Sequence, residues 1–288
     1  MSACLCSQRG LVWALGSALL LTLGCDDPLK SLALIEETRV LGARVEVAGD
    51  PARGSPRPGE QAAVRFFVAG PEGQPDVSYA LSICGVSPTN NGFPACSGSE
   101  FAMVQQAQPS AQSPSLAFEI PTDLDVLATP HGLVSGQIAG GEVAFEFELG
   151  SATHSNANPS FNSGELTLDG APWPVTADAA PCGDLLTVTA GSRHELGAQL
   201  DDENFEPLAQ LTSLDPARET LLLSEFSNAG SLDHAFTSLG PDTQERASAI
   251  WHAPTKAEES GTLVRFYFVV RDMRGGEDFA TRAACVLP

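Results

Sequence analysis

Residues 263–272 read LVRFYFVVRD. Val264, Phe266, Phe268 and Val270 fall on one face of an extended chain, and Arg265, Tyr267, Val269 and Arg271 on the other. Period-two alternation of this kind marks a strand with a face in a core. Met273-Arg274-Gly275-Gly276-Glu277 then turns the chain. Residues 279–287 (FATRAACVL) return, with Phe279, Thr281, Ala283 and Cys285 on one side. Two such runs joined through Gly predict a β-hairpin.

The same signals recur upstream. Residues 40–47 (VLGARVEV), 62–69 (AAVRFFVA), 76–86 (DVSYALSICGV), 101–106, 115–120, 142–149 (EVAFEFEL) and 164–169 (GELTLD) read as strands. Turn formers separate them, most densely in DPARGSPRPGE. In residues 142–149, Glu142, Ala144, Glu146 and Glu148 face away from Val143, Phe145, Phe147 and Leu149. Residues 151–163 (SATHSNANPSFNS) read as an exposed loop, and residues 171–181, with three Pro, as a linker. Beyond it, residues 185–190, 195–200, 219–226 and 247–252 read as strands before the final hairpin. Gly (27) and Pro (21) make up a sixth of the chain, which suits many turns between short strands.

Trp251-His252-Ala253-Pro254 closes one strand, and V-R-F-Y-F-V-V-R-D follows with its Gly-Gly turn. Together these resemble bacterial surface lipoproteins with immunoglobulin-like or PKD-like β-sandwich domains. The resemblance covers roughly residues 183–288 and weakens over 39–170. S-P-R-P-G-E before a strand looks like entry into the second strand of such a domain. The implied fold is all-β, with two immunoglobulin-like antiparallel β-sandwich domains in tandem after a signal peptide. The expected divisions are a signal at 1–24, a lipidated N-terminus and tether at 25–38, a first sandwich at 39–170, a linker at 171–181 and a second sandwich at 182–288.

The N-terminus carries one charge, Arg9, before LVWALGSALLLTLG at 11–24. Fourteen mostly apolar residues are too few to cross ~30 Å of hydrocarbon, but they suit a secretory signal. Leu21-Thr22-Leu23-Gly24-Cys25 resembles the lipobox of bacterial lipoproteins, although Thr22 stands where Leu is usual. The resemblance implies that Cys25 is lipid-modified with diacylglycerol and a further acyl chain such as palmitate. Several chains, at about 0.8 kcal/mol per buried CH₂, anchor where one is marginal. The expected location is therefore the cell envelope, with the outer membrane or cell surface ahead of the inner membrane.

Of seven cysteines, Cys4 and Cys6 leave with the signal and Cys25 takes the lipid. Cys84, Cys96, Cys182 and Cys285 remain, an even set in an oxidising compartment. Three pairings exist. Cys84–Cys96 and Cys182–Cys285 are expected, because the first closes GVSPTNNGFPA and the second ties the two ends of the second domain. That differs from the B–F disulfide of antibody domains. No C-x-x-C occurs and no His lies near a Cys in sequence, which disfavours zinc.

The net charge is −21, and no Lys or Arg occurs between Arg65 and Arg193. Such a surface repels nucleic acid. No zincin, G-x-S-x-G, S-x-x-K, Walker A or G-x-G-x-x-G pattern is present, so no catalytic residue and no cofactor is expected. Asp201, Asp202 and Asn204 form an oxygen-rich run that could hold calcium. Asp272, Glu277 and Asp278 crowd the last turn, where Arg271 and Arg274 compete for them. The functional expectation is a non-enzymatic, lipid-anchored envelope protein with a structural, adhesive or partner-binding role, its partner a protein or carbohydrate. The alternatives are a calcium- or carbohydrate-binding module and a hydrolase.

Overall fold

The computed structural model describes residues 32–86, 96–110, 113–161, 164–175, 182–207, 218–240 and 246–288. Regular structure in them is strand, apart from short 3₁₀ turns. β1 (Arg39–Val47), β2 (Gln61–Ala69) and β5 (Ser115–Glu119) form one sheet in the order β1-β2-β5. β3 (Val77–Val86), β4 (Cys96–Ser110), β6 (His131–Ile138) and β7 (Gly141–Glu148) form the facing sheet in the order β4-β3-β6-β7. Val45, Val64 and Phe66 of the first sheet pack against Leu81, Ile83, Val134 and Phe147 of the second. β1, β2 and β5 take the places of immunoglobulin strands A, B and E, and β3, β6 and β7 those of C, F and G. β4 is an added strand at the edge beside C.

The second sandwich repeats the plan. β8 (Gly164–Leu168), β9 (Ala171–Pro172), β11 (Arg193–Leu200), β13 (Ser231–Leu232) and β15 (Arg246–His252) form a sheet in the order β13-β15-β11-β8-β9. β10 (Leu186–Thr189), β12 (Leu221–Ser227), β14 (Phe236–Leu239), β16 (Thr262–Arg271) and β17 (Glu277–Leu287) form the other, in the order β10-β17-β16-β12-β14. Trp251 meets Phe266 edge-on at 4.8 Å, and Trp173 meets Phe266 from another side at 4.9 Å. Each indole N–H has a carbonyl acceptor, Ala229 for Trp251 and Ala283 for Trp173. The expected hairpin is present as β16 and β17, in register from Thr262↔Val286 to Arg271↔Glu277.

Three boundaries differ from the sequence expectation. GELTLD does not close the first sandwich. As β8 it pairs antiparallel with β11 of the second, Leu168 opposite Leu196. Asp169 (φ 52°) and Gly170 (φ 76°) make a tight two-residue turn into β9, which suits a primed hairpin. Leu166, Leu168 and Trp173 then enter the second core, so the start of the expected linker is packed structure. Residues 176–181 of that linker lie outside the described residues. The end of the expected tether is also docked: Ala33 and Ile35 are buried, and Leu34 bridges Ser227 of β12 in parallel.

A further difference is the outer face of β16. Tyr267 and Val269 do not face water. With Ile35, Leu41, Phe67 and Ala69 they form an apolar cluster between the sandwiches, flanked by Phe226 and Phe279. Phe67 stacks on Phe279 at 4.9 Å. The Tyr267 hydroxyl donates to the Gly70 carbonyl at 3.0 Å. Burial on both faces explains why β16 reads as a nearly unbroken apolar run.

Candidate functional site: the joint between the two sandwiches

The β16–β17 turn projects from the second sandwich onto β7 and β1 of the first. Gly275 (φ 100°) sits against β7; a Cβ there would lie 2.6 Å from the Phe147 Cα. Beside it the Glu148 N–H donates to the Arg274 carbonyl at 3.1 Å. Only Gly meets both demands, a left-handed backbone and this close approach.

The carboxylates that crowd this turn in sequence are all engaged. Asp272 Oδ1 accepts the N–H groups of Arg274 (2.7 Å) and Gly276 (2.9 Å), which fixes the turn. Its Oδ2 accepts the Asn156 side-chain amide at 2.7 Å. Glu277 Oε2 accepts the Ala43 N–H of β1 at 2.9 Å, and Oε1 accepts Arg271 Nε at 2.8 Å. Arg271 also donates to the Leu41 carbonyl. Asp278 holds Arg44 at 2.8 Å and the Phe161 N–H at 2.8 Å. Arg274 reaches Glu206 and, at 2.7 Å, Glu219. The expected exposed loop is exposed only over residues 152–155; from Asn156 it turns inward, Asn156 and Asn158 are buried, and Asn158 donates to the Val45 carbonyl at 2.7 Å. The N-A-N spacing was the one sequence signal for these two, because it puts two short amides on the same side of an extended chain.

Burial dominates the electrostatics here. It pushes the Glu277 carboxyl up to about 7, against Arg271 and the Ala43 N–H, which favour the charged form. It raises Asp272 and Glu219 too, opposed by the N–H donors and Arg274. Burial alone would lower Arg274, but its contacts with Glu206 and Glu219 outweigh it and the net shift is upward. Three guanidinium groups set against five carboxylates make a largely buried charged seam held by backbone donors. Such an arrangement fixes geometry.

The calcium candidates are not gathered. Asp202–Asn204 form a single 3₁₀ turn. Asp202 points to solvent, with Arg218 at 3.5 Å. Asn204 is turned inward, its Oδ1 accepting the Ser160 N–H at 2.6 Å and its amide donating to the Asp201 carbonyl. Among the described residues, no group of three or more His, Cys, Asp or Glu has metal-holding geometry.

One constellation matches no sequence motif. Ser192 Oγ lies 2.6 Å from His194 Nε2, and His194 Nδ1 lies 2.6 Å from Asp169 Oδ2, the order of a hydrolase triad. Three features oppose catalysis. The Ser192 hydroxyl also lies 2.5 Å from the Thr189 carbonyl, so its single proton is contested between that carbonyl and the imidazole. The N–H groups of Ala190, Gly191, Ser192 and Ala253 are all bonded to carbonyls, which leaves none of them for an oxyanion. The Asp169 side chain is 53 % exposed and also accepts the Glu195 N–H, so it serves to fasten the β8–β9 turn to β11. Reading i, i+2 positions on one strand face would have found Ser192 and His194; Asp169 enters only through the pairing of β8.

Both expected disulfides are formed. Cys84–Cys96 joins β3 to β4 with Cα atoms 5.6 Å apart, and Cys182–Cys285 ties the approach to β10 to β17 at 5.1 Å. Cys25 lies outside the described residues.

The fold defines a class: a tandem of two all-β sandwiches of immunoglobulin topology. No protein-family model and no curated protein matches the sequence. Among solved structures, Salmonella alpha-2-macroglobulin reacted with methylamine overlaps 88 % of this chain, with 12 % identity and a TM-score of 0.27; this chain spans only 15 % of that one. The D0-D1 domain of intimin overlaps 86 % of this chain and 99 % of its own length, with 9 % identity and a TM-score of 0.25. The native E. coli alpha-2-macroglobulin overlaps 87 % of this chain and 17 % of its own, with 14 % identity and a TM-score of 0.23. Likeness at that level says nothing about activity.

Proposed function

We propose that this chain is a non-enzymatic, lipid-anchored cell-envelope protein that presents a stiff pair of sandwiches in a structural, adhesive or partner-binding role. The cysteine pairing carries the reading. The four cysteines downstream of Cys25 close into two disulfides, which points to an oxidising compartment and leaves none of the four to pair with Cys25, which follows an apolar segment. The chain between Cys25 and the docked Ala33 is seven residues long. Fully extended, seven residues reach about 25 Å. A lipid on Cys25 would therefore hold the sandwiches close to the bilayer. The charged joint supports a scaffold role, because its carboxylates are engaged by backbone and arginine partners.

Mass spectrometry of the mature N-terminus tests the anchor. The expected species begins at Cys25 and carries diacylglycerol and an added acyl chain; Cys25→Ser should release the protein from membranes. A membrane-bound Cys25→Ser protein of otherwise unchanged mass would overturn the reading.

A further inference from the structure

Eight strands stand at sheet edges among the described residues, and seven are protected. β9 and β13 have two residues each, β10 and β14 four, and β5 five. β7 carries Glu142, Glu146 and Glu148. β1 is covered, with Ala43 N–H and the Leu41 carbonyl bonded to Glu277 and Arg271 of the second sandwich. Short, charged or covered edges are how sheet proteins avoid pairing with other chains. β4 has none of these defences along its centre. It is the longest strand, at 15 residues, and no charged residue occurs from Phe101 to Phe118.

Bulges flank a regular stretch of β4, Ala102–Gln106 against Tyr79–Ile83, whose midpoint is Val104. Ala102 and Val104 pack against the core. Met103 is 71 % exposed and Gln105 is exposed. Beside them the small residues Ala80, Ser82, Ser135 and Gly136 leave a shallow depression of about 330 Å³.

We infer that β4 pairs with β4 of a second copy of this chain, antiparallel about a two-fold axis at Val104, so that two four-stranded sheets become one of eight. Charge selects this occupant. A basic partner would be drawn to the carboxylates massed elsewhere on a chain of net charge −21, not to an edge whose one carboxylate, Glu100, lies outside its regular stretch. A second copy carries the same negative charge, and this edge is where it can approach without setting carboxylate against carboxylate. An isologous contact of this kind closes on itself as a dimer. About Val104, Met103 of each copy faces Gln105 of the other, at cross-strand distance.

Sedimentation velocity on the purified full chain tests this at up to ~200 µM, a range that detects weak pairing. A monomer–dimer equilibrium is expected, and it should tighten between about 0.05 and 0.5 M NaCl as salt screens the repulsion of the acidic bodies. Met103→Glu with Gln105→Glu puts like charges opposite one another and should weaken the dimer about tenfold or more. Met103→Lys with Gln105→Glu puts opposite charges there and should restore it. Melting temperature, read alongside, should be the same in both variants, since both positions face solvent. A chain that stays monomeric at high salt, a dimer indifferent to the Glu pair, a Lys–Glu variant no tighter than the Glu–Glu one, or open polymers would each overturn the inference. Every sample carries Cys25→Ser, so no lipid contributes to these outcomes and a missing dimer leaves the proposed anchor untouched.

Discussion

Glu225→Gln should make the protein more stable at alkaline pH and change little at acid pH. Glu225 lies on β12 with 2 % of its surface exposed, and its Oε2 has no hydrogen-bond partner among the described residues. Burial, reinforced by the nearby Asp233, raises its carboxyl from 4.5 to about 8. The folded state therefore binds this proton far more tightly than the unfolded one. Below pH ~4.5 both states are protonated and Glu225 carries no penalty. As pH rises from there to about 8, only the unfolded state ionises, so stability drains away across that window. At 1.36 kcal/mol per pKa unit, the full loss above pH 8 is about 5 kcal/mol, an upper figure. Gln has nearly the same shape and does not titrate. Urea unfolding with disulfides intact, at half-unit steps from pH 5 to 8.5, measures the difference as a shift of midpoint at constant slope. The Gln variant should match the parent near pH 5 within about 1 kcal/mol, because an amide replaces a protonated acid of nearly the same shape. It should exceed the parent by about 3–5 kcal/mol at pH 8.5. A difference that stays flat across the range would refute the assignment of Glu225 as a buried acid with a raised pKa.

Arg274→Ala strands Glu219, whose side chain is 4 % exposed, and Glu206; it should cost about 2–4 kcal/mol, more at pH 8 than at pH 5, in the same unfolding assay. Cys182→Ser with Cys285→Ser opens a bond spanning 103 residues, worth nearly 5 kcal/mol on chain entropy, and calorimetry should show melting about 10 °C lower. Calcium at ~5 mM should move the melting temperature by less than about 1 °C, since a ligand stabilises only by binding the folded state and Asp201, Asp202 and Asn204 do not converge. A fluorophosphonate probe should leave Ser192 unlabelled, and labelling abolished by His194→Ala would show that the Ser192–His194–Asp169 chain is nucleophilic after all.

What could be read from the sequence was local. The β16–β17 hairpin follows from alternation and a Gly-Gly bend between adjacent segments, and the disulfides follow from an even set of cysteines with one natural division. β8 was recognisable as a strand, but the sheet it joins depends on the free edge of β11, some thirty residues on. β6, with two glycines and no clean alternation, gave no strand signal of its own and is held by β3 and β7. The joint was hardest to see. Glu277 and its acceptor role toward Ala43 are 234 residues apart, and Asn158 meets Val45 across 113. Composition marked the charges at the last turn, but only the approach of the first sandwich decides that they bind backbone and arginine instead of a cation.

The docking of residues 33–35 also sets how the molecule carries a load. The chain enters the first sandwich at β1, yet just before it Ile35 N–H bonds to the Ser227 carbonyl, and Ser227 N–H to that of Ala33. A pull on the N-terminus therefore reaches the second sandwich before it reaches β1. Because Leu34 runs parallel to β12, a pull along the strand shears those bonds together instead of peeling them one at a time. The two bodies would share tension from the outset, with the clasp acting as a strain relief for the chain that leads into β1.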